Sequence, residues 1–109
     1  MNDVKWSRKE KQIARAAFDK AYAKECNRII GQLKEKALHL AEPEDLWALH
    51  DYLTGARKEI DEKYDYRYSV LIVVFGILLK QRWLKIEDLE GLSDEKLERI
   101  VSLAKIQAS

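Results

Sequence analysis

From Phe18 to Leu40 apolar residues return at steps of three or four without a break, and this stripe limits the possible folds more than any other feature of the chain. Phe18, Tyr22, Cys26, Ile29, Leu33, Ala37 and Leu40 lie along it, with Lys and Glu at many of the intervening positions. That is the pattern of one apolar side of an amphipathic helix. Ser7, followed three residues later by Glu10, makes a capping box that can satisfy two orphan backbone N–H groups, so a helix should start there after a short tail, Met1 to Trp6. Pro43 disfavours helical geometry in the residue before it and should end the helix upstream. A helix over roughly residues 8 to 40 is about 50 Å long, whereas a compact chain of this size has a radius of gyration of only about 13 Å. Such a helix projects beyond a globule, and one subunit can hardly cover its stripe.

Pro43 suits the first turn of a second helix, where Glu44 and Asp45 favour the positive end of the dipole. Leu46, Leu49, Leu53, Ala56, Ile60 and Tyr64 continue the three-and-four spacing. Two amphipathic helices joined by a few residues read as an antiparallel hairpin, and the surplus apolar edge invites a second copy of the chain. The expected assembly is a homodimer with Leu33, Leu46, Leu49 and Leu53 in its seam. The spacing is too short-lived for an extended coiled coil. The third segment, Tyr66 to Leu84, is apolar on all sides from Val70 to Leu79 and needs burial all round. Its β-branched content leaves a strand possible, but the run is long for a strand and lacks hairpin turns, so helix is the expectation. Gly91 marks a break and Ser93 an N-cap, after which Leu97, Ile100, Val101 and Ala104 give a last amphipathic helix. The reading is all-α: a single domain over residues 1–109, with a dimerising helical stalk over 1–65 and a small helical head over 66–109.

Composition narrows the function. Twenty Lys and Arg stand against 19 Asp and Glu in 109 residues, so the basic surplus on which nucleic-acid binding rests is missing. A lone Cys26 cannot form an internal disulfide and no basic-then-apolar leader opens the chain, which points to the cytoplasm. The longest apolar run is half of the roughly 20 residues that cross a bilayer, so no membrane insertion is expected. Only four glycines and one proline are available for turns, which favours long helices over a β fold.

On a helical wheel of the second helix with Trp47 at zero, the leucines, Ala56 and Ile60 fall between about 180° and 260°, the core-facing side. Arg57, His50, Asp61, Thr54, Trp47, Lys58 and Asp51 occupy the arc from about 280° round to 40°. An aromatic ring among charges on a polar face has the character of a binding hot spot, where Trp and Arg are over-represented. The bland alternative packs Trp47 on its own chain and leaves the charges solvated; spacing alone leaves both open. His50 beside Asp51 raises an enzymatic or metal-binding alternative, but sequence neighbours diverge by about 100° on a helix, and His39 is the only other histidine. Cys26 sits on the apolar stripe as a small core residue, and Glu59, Asp61, Glu62 and Asp65 lack the repeated Glu-x-x-His pattern of carboxylate metal bundles. No glycine-rich phosphate loop is present. No cofactor, metal or catalytic residue is expected.

The run Asp45-Leu46-Trp47-Ala48-Leu49-His50-Asp51-Tyr52-Leu53, followed by Arg57, Glu59-Ile60-Asp61, Lys63-Tyr64-Asp65 and Arg67-x-Ser69-Val70, resembles the central signature of the fluorescence recovery proteins. The likeness extends over nearly the whole chain, including Trp6 and the Ala-Phe-x-Lys-Ala-Tyr stretch from Ala17 to Tyr22. It implies an all-helical dimer that binds the photoactivated orange carotenoid protein through that protein's C-terminal domain, speeds its return to the inactive orange state, and so ends quenching of the phycobilisome antenna. It places the protein in the cytoplasm, peripheral to thylakoid-bound phycobilisomes. The positions matching the family's functional patch are Trp47, His50, Asp51 and Arg57; Thr54 and Lys58 share their arc. Three departures stand out: Lys58 where a histidine is expected, Gly55 inside the helix, and Val73 in place of an aromatic. They leave room for a homologue acting on another carotenoid-binding protein, and a generic helical dimeric adaptor is the other alternative.

Overall fold

The computed structural model describes residues 5–106, which form helices α1 (Arg8–Leu38), α2 (Pro43–Lys63), α3 (Leu71–Lys80) and α4 (Asp94–Ile106), with a short 3₁₀ turn at Ile86–Leu89 and no strand. The capping box forms as the sequence requires. The Glu10 N–H donates to Ser7 Oγ at 3.1 Å, and the Ser7 N–H donates to the Glu10 carboxylate at 3.0 Å. From there α1 runs for 31 residues, about 46 Å of helix. The molecule measures 53 × 27 × 22 Å with a radius of gyration of 16.8 Å, longer than the roughly 13 Å of a compact chain this size. No helix among the described residues is long and apolar enough to cross a membrane.

The core lies at one end. Six of the ten residues of α3 are buried, but Val73 stays 48% exposed, so the burial all round expected from its apolar sequence is incomplete. One side of α3 is covered by α4. Gly76 permits that approach, since a Cβ there would sit 2.9 Å from Leu103 Cβ. Ala14, Ala17 and Ala21, none of them on the expected stripe, bring the first half of α1 against the same core with Phe18. Small side chains let the helix axis come close, which burial of the larger stripe residues alone would not. Gly91 breaks the chain at φ +107°, and any Cβ there would lie 2.4 Å from Ile13 Cδ1. The positive φ favours glycine at that site, while the Ile13 side chain would have to move aside for any larger residue.

Two expectations are corrected. Trp6 is not part of a loose tail: its ring is buried beside Tyr68, centroids 5.7 Å apart, and under the Lys96 ammonium. Nor is Tyr66 to Leu84 one helix, because α3 covers only Leu71–Lys80. Before it, Tyr64, Tyr66 and Tyr68 alternate with Asp65 and Arg67, a period of two that sets all three rings on one side of a non-helical segment. Phe18 meets Tyr64 and Tyr66 edge-on at 5.3 and 4.8 Å. After α3, the Arg82 N–H donates to Leu79 O at 3.1 Å and the Trp83 N–H to Leu78 O at 2.9 Å, with Arg82 at φ 69°. These bonds are the Schellman close of a helix, with arginine where glycine is usual.

Glu10 ties the ends of two helices together. Its buried carboxylate accepts the backbone N–H of Ser93 at 2.9 Å and of Ser7, and lies 3.1 Å from the Lys96 ammonium. Lys96 also donates to the Lys5 carbonyl at 2.7 Å. Burial pushes the Glu10 carboxyl up, but the two backbone donors and Lys96 outweigh it and hold it below its ordinary value.

Candidate functional site

α2 starts with Pro43 in its first turn, and Asp45 Oδ2 fixes the entry by accepting the N–H groups of Ala41 and Glu42 at 3.1 and 3.0 Å. The helix lies antiparallel to the second half of α1. Tyr52 hydrogen-bonds Gln32 through its hydroxyl and carries the Lys36 ammonium 4.7 Å from its ring centre. Further along, Lys63 donates to Glu25 at 2.7 Å and to Gln81 at 2.6 Å, and the Tyr64 hydroxyl donates to Glu25 at 2.8 Å. Burial, followed by the Glu25 contact, drives the Tyr64 phenol well above its usual range. This network pins the C-terminal end of α2 to α1 and to the end of α3.

The side of α2 facing away from α1 carries the residues singled out by the sequence. Trp47 is 61% exposed, and the ring of His50 meets it edge-on at 6.3 Å. His50 Nδ1 lies 3.5 Å from Asp51 Oδ1, and Arg57 Nε lies 3.3 Å from Asp61 Oδ2. All four side chains in these pairs are well exposed, as are Thr54 and Lys58. Polar contacts this open to water are weak, so the groups are free to re-pair with an incoming surface. The face is open to solvent, and no group of three or more His, Cys, Asp or Glu among the described residues could hold a metal ion. What the arrangement offers is an aromatic knob ringed by hydrogen-bonding charges of both signs, suited to grip another surface.

The leucines are divided differently from the wheel's assignment. Ile60 is buried and Ala56 half-buried on the side toward α1, whereas Leu46 and Leu53 remain 49% and 44% exposed. The core-facing arc is therefore centred on Tyr52, Ala56 and Ile60, and Leu46 and Leu53 lie at its solvent margin beside Arg57. Leu33 and Leu49 are half-buried. Sequence reasoning missed two further exposed apolar side chains on α1, Ile30 and Leu38, the latter 82% exposed. The Ile29-Ile30 pair was the available signal: adjacent apolar residues point about 100° apart, so one stripe cannot hold both.

The chain was compared with known proteins. The sequence profile of a family described as the photoprotection regulator fluorescence recovery protein matches residues 6–104. The fluorescence recovery protein of Synechocystis sp. is 40% identical over 104 residues, covering 95% of each chain. Among solved structures, the Fluorescence Recovery Protein of Fremyella diplosiphon superposes with a TM-score of 0.89 at 48% identity, over 93% of this chain and 99% of that one. The Synechocystis sp. PCC 6803 protein superposes with a TM-score of 0.88 at 42% identity, with the same coverage.

Proposed function

This chain belongs to the fluorescence recovery protein family of photoprotection regulators, and from that premise we propose that it works without catalysis, by binding the photoactivated orange carotenoid protein and returning it to its inactive orange state. The outer face of α2, with Trp47, His50, Asp51 and Arg57, takes that protein's C-terminal domain, while Thr54 and Lys58 border the contact. The observation that carries the reading is Trp47: a large ring left 61% exposed contributes little to its own chain's core and has the chemistry of a binding anchor.

In this reading the protein acts as a homodimer. Leu46 and Leu53 on α2, with Ile30 and Leu38 on α1 and Leu40 in the turn after it, leave apolar side chains uncovered, and Leu33 and Leu49 are half-buried. A second copy covers these side chains, the helices α1 and α2 forming the dimerising stalk and residues 66–109 the head. Holding both domains of the opened carotenoid protein on one scaffold turns their re-docking into an intramolecular step, with effective concentrations on the order of millimolar. Quenching of the phycobilisome ends without any bond being made or broken.

The test mixes the protein with photoactivated orange carotenoid protein in the dark and follows the decay of red to orange absorbance. The intact protein accelerates that decay, and Trp47→Ala weakens binding by about 2 kcal/mol with helicity unchanged. Full retention of both binding and recovery rate by Trp47→Ala would remove the α2 face from the mechanism.

A further inference from the structure

Charge is spread unevenly along α1. Arg8, Lys9, Lys11 and Arg15 are all exposed in its first turns, while Glu10, the acid among them, is buried against Lys96 on the opposite side. Arg8, Lys11 and Arg15 fall within an arc of about 60°, along about 10 Å of helix. Tyrosine rings support two of them: the Arg15 guanidinium carbon lies 3.8 Å from the Tyr66 ring centre, and the Lys11 ammonium 5.2 Å from that of Tyr68. Asp19 takes one long contact from Arg15, 3.3 Å between exposed side chains. Arg8, Lys9 and Lys11 have no ion pair among the described residues.

We propose that this face of α1 is a second docking surface, built for a carboxylate-rich stretch of a partner protein. A guanidinium held against a ring has already lost much of its rotational freedom and still presents the flat pair of N–H donors that fits a carboxylate. Lys11 and Arg8 extend the same row, so acidic side chains along an extended segment or one helix face meet successive cations. A membrane surface is the poorer fit, because between Arg8 and Arg15 α1 exposes no large apolar side chain that could enter a headgroup layer. A polynucleotide is poorer still for a chain with a net charge of +1. The surface is about 30 Å along α1 from the end that α2's Trp47 turn packs against, and its argument uses none of the α2 groups, so it stands or falls without them.

The probe is a fluorescein-labelled octaglutamate peptide, titrated by fluorescence anisotropy at low salt. The triple variant R8Q/K11Q/R15Q should bind about tenfold more weakly, while K34Q/K80Q/K105Q, which removes equal charge from exposed lysines elsewhere, changes affinity by less than about twofold. Arg15→Lys keeps the charge without the planar fork and should cost about threefold; it decides the matter if the triple variant loses helix content. Trp47→Ala should leave peptide binding unchanged. Equal losses in the two triple variants would reduce the effect to net charge and overturn the proposal. So would phosphatidylglycerol vesicles that bind through the same three cations while the peptide does not bind at all.

Discussion

Glu10→Ala removes one carboxylate that serves three donors, and the cost follows from what each donor is left with. The N–H groups of Ser7 and Ser93, bonded at 3.0 and 2.9 Å, lose their side-chain acceptor at the starts of α1 and α4. Lys96, 3.1 Å from Glu10 and just as buried, loses its counter-charge. Removing one member of a buried pair costs about 3 to 5 kcal/mol. Lys96 keeps the Lys5 carbonyl at 2.7 Å and the Trp6 ring 5.0 Å away, so the lower end, about 3 kcal/mol, is expected. For a chain this size that lowers Tm by about 12 °C, measured by circular dichroism at one fixed protein concentration. Glu10→Gln keeps an acceptor for the backbone donors and should cost less. The acid limb gives a second reading of the same contact. With the folded carboxyl held below its usual 4.5, the stabilisation is complete above that value and is lost as pH falls through the lower folded one. Glu10→Gln should flatten that limb. A Glu10→Ala protein within about 1 kcal/mol of the parent would show that the buried pair is replaceable by water and refute the reasoning.

Three further outcomes follow from the same geometry. Replacing Leu46 or Leu53 by Glu places a charge on a side chain its own subunit leaves nearly half exposed, so light scattering should report separated subunits with secondary structure kept; an unchanged dimer mass would move the seam elsewhere. Arg82→Gly relieves the left-handed conformation at φ 69° and should raise stability by about 1 kcal/mol, read as a higher denaturation midpoint, whereas a fall would mean that the Arg82 side chain supports the α3 turn. At Gly55 an added Cβ meets nothing within 4 Å, so Gly55→Ala should also stabilise by about 1 kcal/mol through helix propensity alone. A recovery rate that drops in Gly55→Ala would place the partner's surface against that turn.

The helix starts were legible because their signals are local: Ser7 with Glu10, and Ser93, accept orphan N–H groups, while Pro43 stands in a first turn where its missing N–H costs nothing. The exposed arc of α2 was legible for a similar reason, since 3.6-residue periodicity fixes which residues share a side before any neighbour is known. Periodicity does not say which side meets which neighbour. The inward arc on α2 is set by α1, through Tyr52 to Gln32 and Lys63 to Glu25, partners 20 and 38 residues away in sequence. The segment from Tyr64 to Tyr68 was misread because the apolar run after it suggested one helix, and the alternation of tyrosines with Asp65 and Arg67 was the overlooked signal. Trp6 was overlooked because nothing in six residues announces a core that is completed by Tyr68 and Lys96.

The distribution of burial bears directly on why α2 needs company. Of its 21 residues only Ile60 is buried, and burying one such side chain is worth about 1.5 to 3 kcal/mol. Ordering the backbone costs on the order of 1 to 2 kcal/mol per residue, offset in part by helix hydrogen bonds whose net worth is small. In proteins most of a helix's stability comes from packing of its apolar face rather than from propensity. The cap at Asp45 and the Lys63–Glu25–Tyr64 network hold its two ends, but between them Leu46, Trp47 and Leu53 stay open to solvent. A helix so lightly buried within its own chain draws the rest of its stability from surfaces outside it. Under the proposed function, a sister subunit over the leucines would supply that permanently and a carotenoid protein over Trp47 transiently. The fold thus concentrates its internal stability around α3 and the start of α1, and leaves α2 free to spend its side chains on binding.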